Sequence, residues 1–144
     1  MYILLVDDNY EDMVHFKDEL ELEGHRVVHV HDYKELKIEC ESKNNYDGII
    51  LDLMFPPENG IPIKESDYGY RGGQILYNNL IKSSFPEVPF VILTAMDKTT
   101  KIFNSILDDL SKLPAFRGVF QKPTEVKNIL DALMSQKKRG NIQS

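Results

Sequence analysis

The chain has a single cysteine, Cys40, among its 144 residues. That excludes an intramolecular disulfide and any metal site built from several thiolates. Long apolar runs are missing too: nothing approaches the ~18 residues that mark a membrane-spanning helix. The first residues also lack the basic segment and long apolar core of a secretory signal. A cytoplasmic protein without a membrane partner is therefore expected. Positive charge is in deficit, with 17 Lys and Arg against 23 Asp and Glu and a net charge of −6. Duplex affinity rests on cations neutralising phosphates, so direct nucleic-acid binding is not expected. The one basic cluster, Lys137, Lys138 and Arg139, closes the last predicted helix, where cations suit the helix dipole. Internal repeats and low-complexity segments are absent as well.

What remains fits one globular domain with room for a real core. Four short apolar runs each lead into a polar residue that chemistry can use: YILLVDD, GIILDL, PFVILTA and GVFQKP. If the runs are parallel strands of one sheet, Asp7, Asp8, Asp52, Thr94 and Lys122 all emerge at its carboxyl edge, where open α/β sheets bind ligands. Three acids crowded within about 4 to 6 Å raise each other's pKa values unless a cation joins them. Oxygen ligands of this kind suit a hard divalent cation, most simply Mg²⁺.

Strand-like and helix-like patterns alternate five times, which favours a parallel sheet flanked by helices. Strands are predicted at about Tyr2 to Val6, Arg26 to Val30, Gly48 to Leu53, Phe90 to Thr94 and Val119 to Gln121. The first helix has Asn9 as N-cap, Met13, Phe16 and Leu20 on one face, and Gly24 as its stop. The second starts from Asp32 and places Tyr33, Leu36 and Cys40 on one side, which makes Cys40 a small core residue rather than a reactive thiol. A third helix is expected over Gln74 to Lys82. The fourth is capped by Asp97, with Ile102, Phe103, Ile106, Leu107 and Leu110 inward. Thr124 caps the fifth, where Val126, Ile129, Leu130, Leu133 and Met134 recur at helical spacing. His25, His29 and His31 share strand parity, and a solvated edge strand explains them without a metal.

An acidic pair after the first strand, an aspartate ending the third, Thr-Ala after the fourth and Lys-Pro after the fifth occur together in this order. In this the chain resembles the receiver domain of two-component response regulators, over residues 1–136, with a short tail at 137–144. The resemblance implies an α/β three-layer sandwich around a five-stranded parallel sheet of order 2-1-3-4-5, the flavodoxin-like arrangement. It implies a single-domain phospho-acceptor signalling protein rather than an enzyme, although such domains take part in their own phosphorylation and dephosphorylation. Asp52 would accept the phosphoryl group, and Asp7, Asp8, Asp52 and the backbone carbonyl of Met54 would hold Mg²⁺. Lys122 and Thr94 would meet the phosphoryl oxygens, with a cis Lys122-Pro123 bond orienting the lysine. The implied partners are a sensor histidine kinase or histidine phosphotransfer protein, a downstream protein target, and a second copy in a homodimer through the fourth- and fifth-helix face. No effector domain is expected after Ser144.

The chain departs from that family in two places. Residues 55–71 form an insertion about a dozen residues longer than the usual loop, and its Phe55, Ile61, Ile63, Tyr68 and Tyr70 suggest a partly ordered lid or partner contact, against an equal case for mere decoration. Val119 stands where receivers commonly carry a switching aromatic, and Phe120 has the wrong strand parity to replace it. By the same resemblance, the residues two beyond the acceptor and two beyond the Thr influence water access to the phosphoryl group; here they are Met54 and Met96, two apolar covers that predict slow self-dephosphorylation. Taken singly, each residue has a duller explanation: an aspartate after an apolar run is most often a turn former, and a Thr or Lys at a strand end is usually surface. Clustering defeats those explanations together, because unpaired acids beside a buried sheet are costly. Two other functions compete. A Mg²⁺-dependent aspartyl-phosphate phosphohydrolase would usually carry a second aspartate where Met54 stands, and a phosphorylation-independent scaffold has no need of the acidic cluster.

Overall fold

The structure, a computed structural model, describes residues 1–57 and 60–135. The basic cluster at 137–139 and the predicted tail lie outside the described residues. Five strands, β1 (Tyr2–Val6), β2 (Arg26–Val30), β3 (Gly48–Leu51), β4 (Phe90–Thr94) and β5 (Phe116–Gln121), form one parallel sheet in the order 2-1-3-4-5. Between and after them run α1 (Tyr10–Leu22), α2 (Tyr33–Glu41), α4 (Lys101–Leu110) and α5 (Val126–Met134). The helix α3 lies between β3 and β4 as three joined segments: Gly72–Leu76, a π-helical turn Tyr77–Ile81, and Lys82–Ser84.

Strand alternation divides the core into two layers. Leu4, Val6, Ile49, Leu51, Phe90 and Ile92 face Leu36 of α2, Leu76 and Ile81 of α3, and Phe103, Ile106 and Leu110 of α4. Ile3, Leu5, Ile50, Val91 and Leu93 face Met13 and Leu20 of α1 and Ile129, Leu130 and Leu133 of α5. Both faces of β1, β3 and β4 are covered, which is why those strands read as unbroken apolar runs. Each such side chain contributes roughly 1.5–3 kcal/mol on full burial, so the sheet is a rigid platform for whatever leaves its carboxyl edge.

Several boundaries differ from the predicted ones. β3 ends at Leu51 rather than Leu53, because the Leu53 carbonyl turns away from the sheet to accept the Gly73 N–H at 2.8 Å. β5 begins at Phe116, and the register with β4 slips between Phe90 and Ile92. Gly118, at φ +146°, absorbs the extra residue of that bulge, which is what broke the apolar pattern before Val119. Thr100, not Asp97, caps α4; Asp97 instead takes the N–H and hydroxyl of Thr99 in the preceding turn. Glu125 stands at the start of α5, while Thr124 accepts from the Asn128 side chain. Met134 is exposed although its neighbour Leu133 is still buried against the sheet. Cys40 is half-buried, and burial pushes its thiol pKa up, away from reactivity.

The insertion packs on the domain rather than projecting from it. Phe55 and Ile61 join the core layer beneath α3 and α4, and the Phe55 N–H donates to the Gly69 carbonyl at 2.9 Å. Arg71 fastens its end: the guanidinium reaches Asp67 at 2.7 Å, Gln74 at 3.2 Å and Ser105 of α4 at 3.1 Å. Gln74, buried, donates in turn to Asp109 of α4 at 3.0 Å. The insertion and α4 are thus joined by polar side chains as well as by the core.

Candidate functional site

The carboxyl edge holds the acids together. Asp7 follows β1 and is buried; its Oδ1 accepts the Asn9 N–H at 2.9 Å and its Oδ2 the Lys122 ammonium at 2.7 Å. Asp52, also buried, follows β3; its Oδ2 accepts from the same ammonium at 3.1 Å and its Oδ1 from the Met54 N–H at 3.2 Å. Asp8 is half-buried beside them, and one carboxylate oxygen from each of Asp7, Asp8 and Asp52 lies within 4.8 Å of the others. Burial and the neighbouring Asp52 raise the Asp7 carboxyl above its ordinary value, against the opposing pull of Lys122. Burial, then Asp7 and Asp52, do the same to Asp8. Burial pulls the Lys122 ammonium down, but Asp52 and Asp7 outweigh it and leave it raised. A single ammonium therefore leaves three carboxylates under-compensated. Hard oxygen donors that close together, three carboxylates against one ammonium, fit a small divalent cation.

Thr94 ends β4 fully buried, its Oγ1 accepting the Met96 N–H at 3.2 Å and its carbonyl accepting the Lys122 N–H at 2.9 Å. The hydroxyl keeps its own proton for a further acceptor. The Lys122-Pro123 peptide is cis. Met96, expected over the site, is instead a core residue on the α4 side, with its carbonyl held by Gln121 at 2.9 Å. Of the two expected apolar covers only Met54, half-buried next to Asp52, stands at the site. Val119 packs into the α4-side core and Phe120 into the opposite layer, as their parity requires.

Two contributors escaped the sequence reading. The first is Gly73: a Cβ there would lie 2.1 Å from the Asp52 carbonyl oxygen and 2.7 Å from the Leu53 Cα. Only glycine lets α3 start directly against the backbone of Asp52, and the Gly-Gly pair ahead of a helical pattern was the available signal. The second is His29, expected on a solvated edge. Its Nε2 donates to the Asp7 carbonyl at 2.8 Å and its ring stacks on Tyr10 at 5.2 Å, supporting the acidic turn from behind. Burial lowers its pKa, so the ring is neutral with a buried, unpartnered Nδ1. His31, Asp32 and Glu35 also come close enough to share an ion, but their groups cap α2: Asp32 accepts from the Glu35 N–H at 2.7 Å and Glu35 from the His31 N–H at 2.8 Å.

No family model matches the chain, and no curated protein matches it in sequence. Solved structures do. A response regulator from Burkholderia pseudomallei, solved with a phosphorylated aspartic acid, a calcium ion and citrate, superposes with a TM-score of 0.70 at 20% identity, over 93% of this chain and 66% of its own. The chain therefore spans just under two thirds of that protein. A response regulator receiver domain from Clostridium thermocellum gives 0.65 at 25% identity, over 92% of this chain and 90% of its own. The Vibrio cholerae chemotaxis protein CheY4 gives 0.62 at 20% identity, with 92% and 94% covered. The fold is that of response regulator receiver domains.

Proposed function

We propose that this chain is a phospho-acceptor signalling domain whose acceptor is Asp52. One observation carries the reading: three under-compensated carboxylates and one ammonium converge at the carboxyl edge of a receiver fold. A carboxylate oxygen of Asp52 attacks the phosphorus of the donor, the bond to the leaving group breaks, and an aspartyl phosphate results. Asp7, Asp8, Asp52 and the Met54 carbonyl would hold Mg²⁺, which would supply the charge that lets an anionic donor approach. Lys122 exchanges a carboxylate for a phosphoryl oxygen, and the Thr94 hydroxyl donates its free proton to another. The phosphorylated aspartate and calcium ion of the Burkholderia relative support this reading. The donor is a sensor histidine kinase or histidine phosphotransfer protein in the cytoplasm. The output is a protein contact, a relay or a homodimer rather than direct binding of nucleic acid.

Intact mass after incubation with acetyl phosphate tests this. Wild-type protein with Mg²⁺ gains one phosphoryl group, while Asp52→Asn gains none and excess chelator abolishes the gain. Labelling at another residue, or full labelling in chelator, would sink the assignment. The lifetime of the modified form is a separate expectation. Met54 offers an attacking water no strong hydrogen bond, so Met54→Asn should shorten the lifetime several-fold, followed as loss of added mass. Unchanged decay would remove Met54 from that role.

A further inference from the structure

A cleft of about 440 Å³ opens beside the acidic site, lined by Asp8 and Met54 together with Phe55, Pro56, Tyr68 and Tyr70 of the insertion. It lies on the Met54 side of Asp52: Oδ2 faces Lys122, whereas Oδ1 faces the Met54 N–H. The insertion is shaped to present its two tyrosines there. Asp67, Tyr68 and Gly69 adopt φ values of +51°, +58° and +103°, a left-handed run that a bulky residue such as tyrosine rarely tolerates. Buried Ser66 holds the run in place. Its Oγ accepts the Gly69 N–H at 3.1 Å and donates to the Ile63 carbonyl at 3.0 Å, and its carbonyl accepts the Arg71 N–H at 2.7 Å. The outcome is an exposed aromatic pair, with Tyr68 79% and Tyr70 46% accessible, next to an acidic centre.

From this we propose that Tyr68 and Tyr70 are specificity-determining residues that receive the leaving group of the phosphoryl donor, an N-phosphorylated imidazole ring. The inference rests on Asp52 being the phospho-acceptor. Such a ring is planar, and it is cationic when its second nitrogen carries a proton. As the bond from the Asp52 oxygen to phosphorus forms, the P–N bond breaks and its electron pair returns to the ring, which leaves as neutral imidazole. Tyrosine faces attract a flat cation and stack on a flat ring, and both tyrosines line the cleft. An acyl phosphate has neither ring nor positive charge and gains nothing from the cleft. Donors are thereby sorted by what leaves rather than by what is transferred.

The test compares two small donors, N-phosphorylimidazole and acetyl phosphate, each with Mg²⁺, on the wild type, the pair Tyr68→Ala with Tyr70→Ala, and the pair Tyr68→Phe with Tyr70→Phe. The readout is the ratio of Asp52 labelling rates with the two donors, which cancels any general loss of fold or cation. The alanine pair should lower that ratio about tenfold, the size two exposed ring–cation contacts supply. The phenylalanine pair should restore it. A ratio unchanged in the alanine pair would overturn the role of the tyrosines while leaving Asp52 as acceptor. Failure of either donor to label the wild type at Asp52 would overturn the phospho-acceptor reading and this inference with it.

Discussion

Gly73→Ala should be severely destabilising for a single added methyl group and should also slow phosphorylation of Asp52. The new Cβ would meet the Asp52 carbonyl oxygen at 2.1 Å and the Leu53 Cα at 2.7 Å, both backbone atoms at the end of a buried strand. Neither can swing aside as a flexible side chain would. Alanine favours a helix over glycine by roughly 1 kcal/mol, whereas overpacking of a rigid site costs about 3 kcal/mol or more, so the clash wins. Relief requires α3 and the β3 exit to separate, which moves the acceptor itself. Urea unfolding should show the loss, and the labelling rate should fall with it. Gly24→Ala is the control. At φ +93° with nothing within 4 Å of the added carbon, it carries backbone strain of only about 1 kcal/mol and is far from Asp52. Equal and small losses at the two glycines would remove the close approach as an explanation.

Removing the ammonium should have an effect of similar size but with a signature in pH and cation. Lys122→Met leaves Asp7 and Asp52 without their shared donor while both remain buried. Breaking such a pair from one side costs about 3 kcal/mol or more at neutral pH. The pH dependence follows from Asp7 and Asp8, whose carboxyls are already raised above 3.8 in the folded protein. The folded state therefore binds their protons more tightly than the unfolded chain does. Their contribution to stability is fully present below the unfolded pKa and is lost as pH rises through the folded value. Without Lys122 both folded values climb further. The deficit of the variant should therefore be largest at neutral pH and shrink as the solution is acidified toward the folded carboxyl values. Mg²⁺ should recover stability in both proteins, by about 2.7 kcal/mol at a hundredfold excess over its dissociation constant, provided Asp7 and Asp8 are intact. Thermal unfolding at two pH values, with cation and with chelator, gives the comparison. A deficit that ignores both variables would mean that Lys122 acts only through packing of its stem.

Much of this protein was legible from the sequence because the relevant signals are local. Apolar runs of strand length, separated by amphipathic stretches, dictate an α/β sheet, and the polar residue ending each run must emerge at the same edge once the strands are parallel. The meeting of Asp7, Asp8, Asp52 and Lys122 at one edge follows in that way, and the core faces of α1, α2 and α4 with it. Local patterns also misled where two neighbours satisfy the same rule. Asp97 and Thr100 are both good caps, and the path of the chain from β4 chose the second. Only the folded arrangement could decide what depends on elements far apart in the chain. Lys122 meets Asp7 across 115 residues and leaves the acids still under-compensated. The His29 ring braces the Asp7 carbonyl from the neighbouring strand, and Gly73 yields its side-chain volume to the backbone of Asp52. Met96 is drawn into the core while Met54 stays at the site, and the insertion folds back so that Tyr68 and Tyr70 share a cleft with Asp8. Hydrophobic periodicity is written residue by residue and can be read from a single strand of text, but distances between side chains on different elements exist only after those elements have packed.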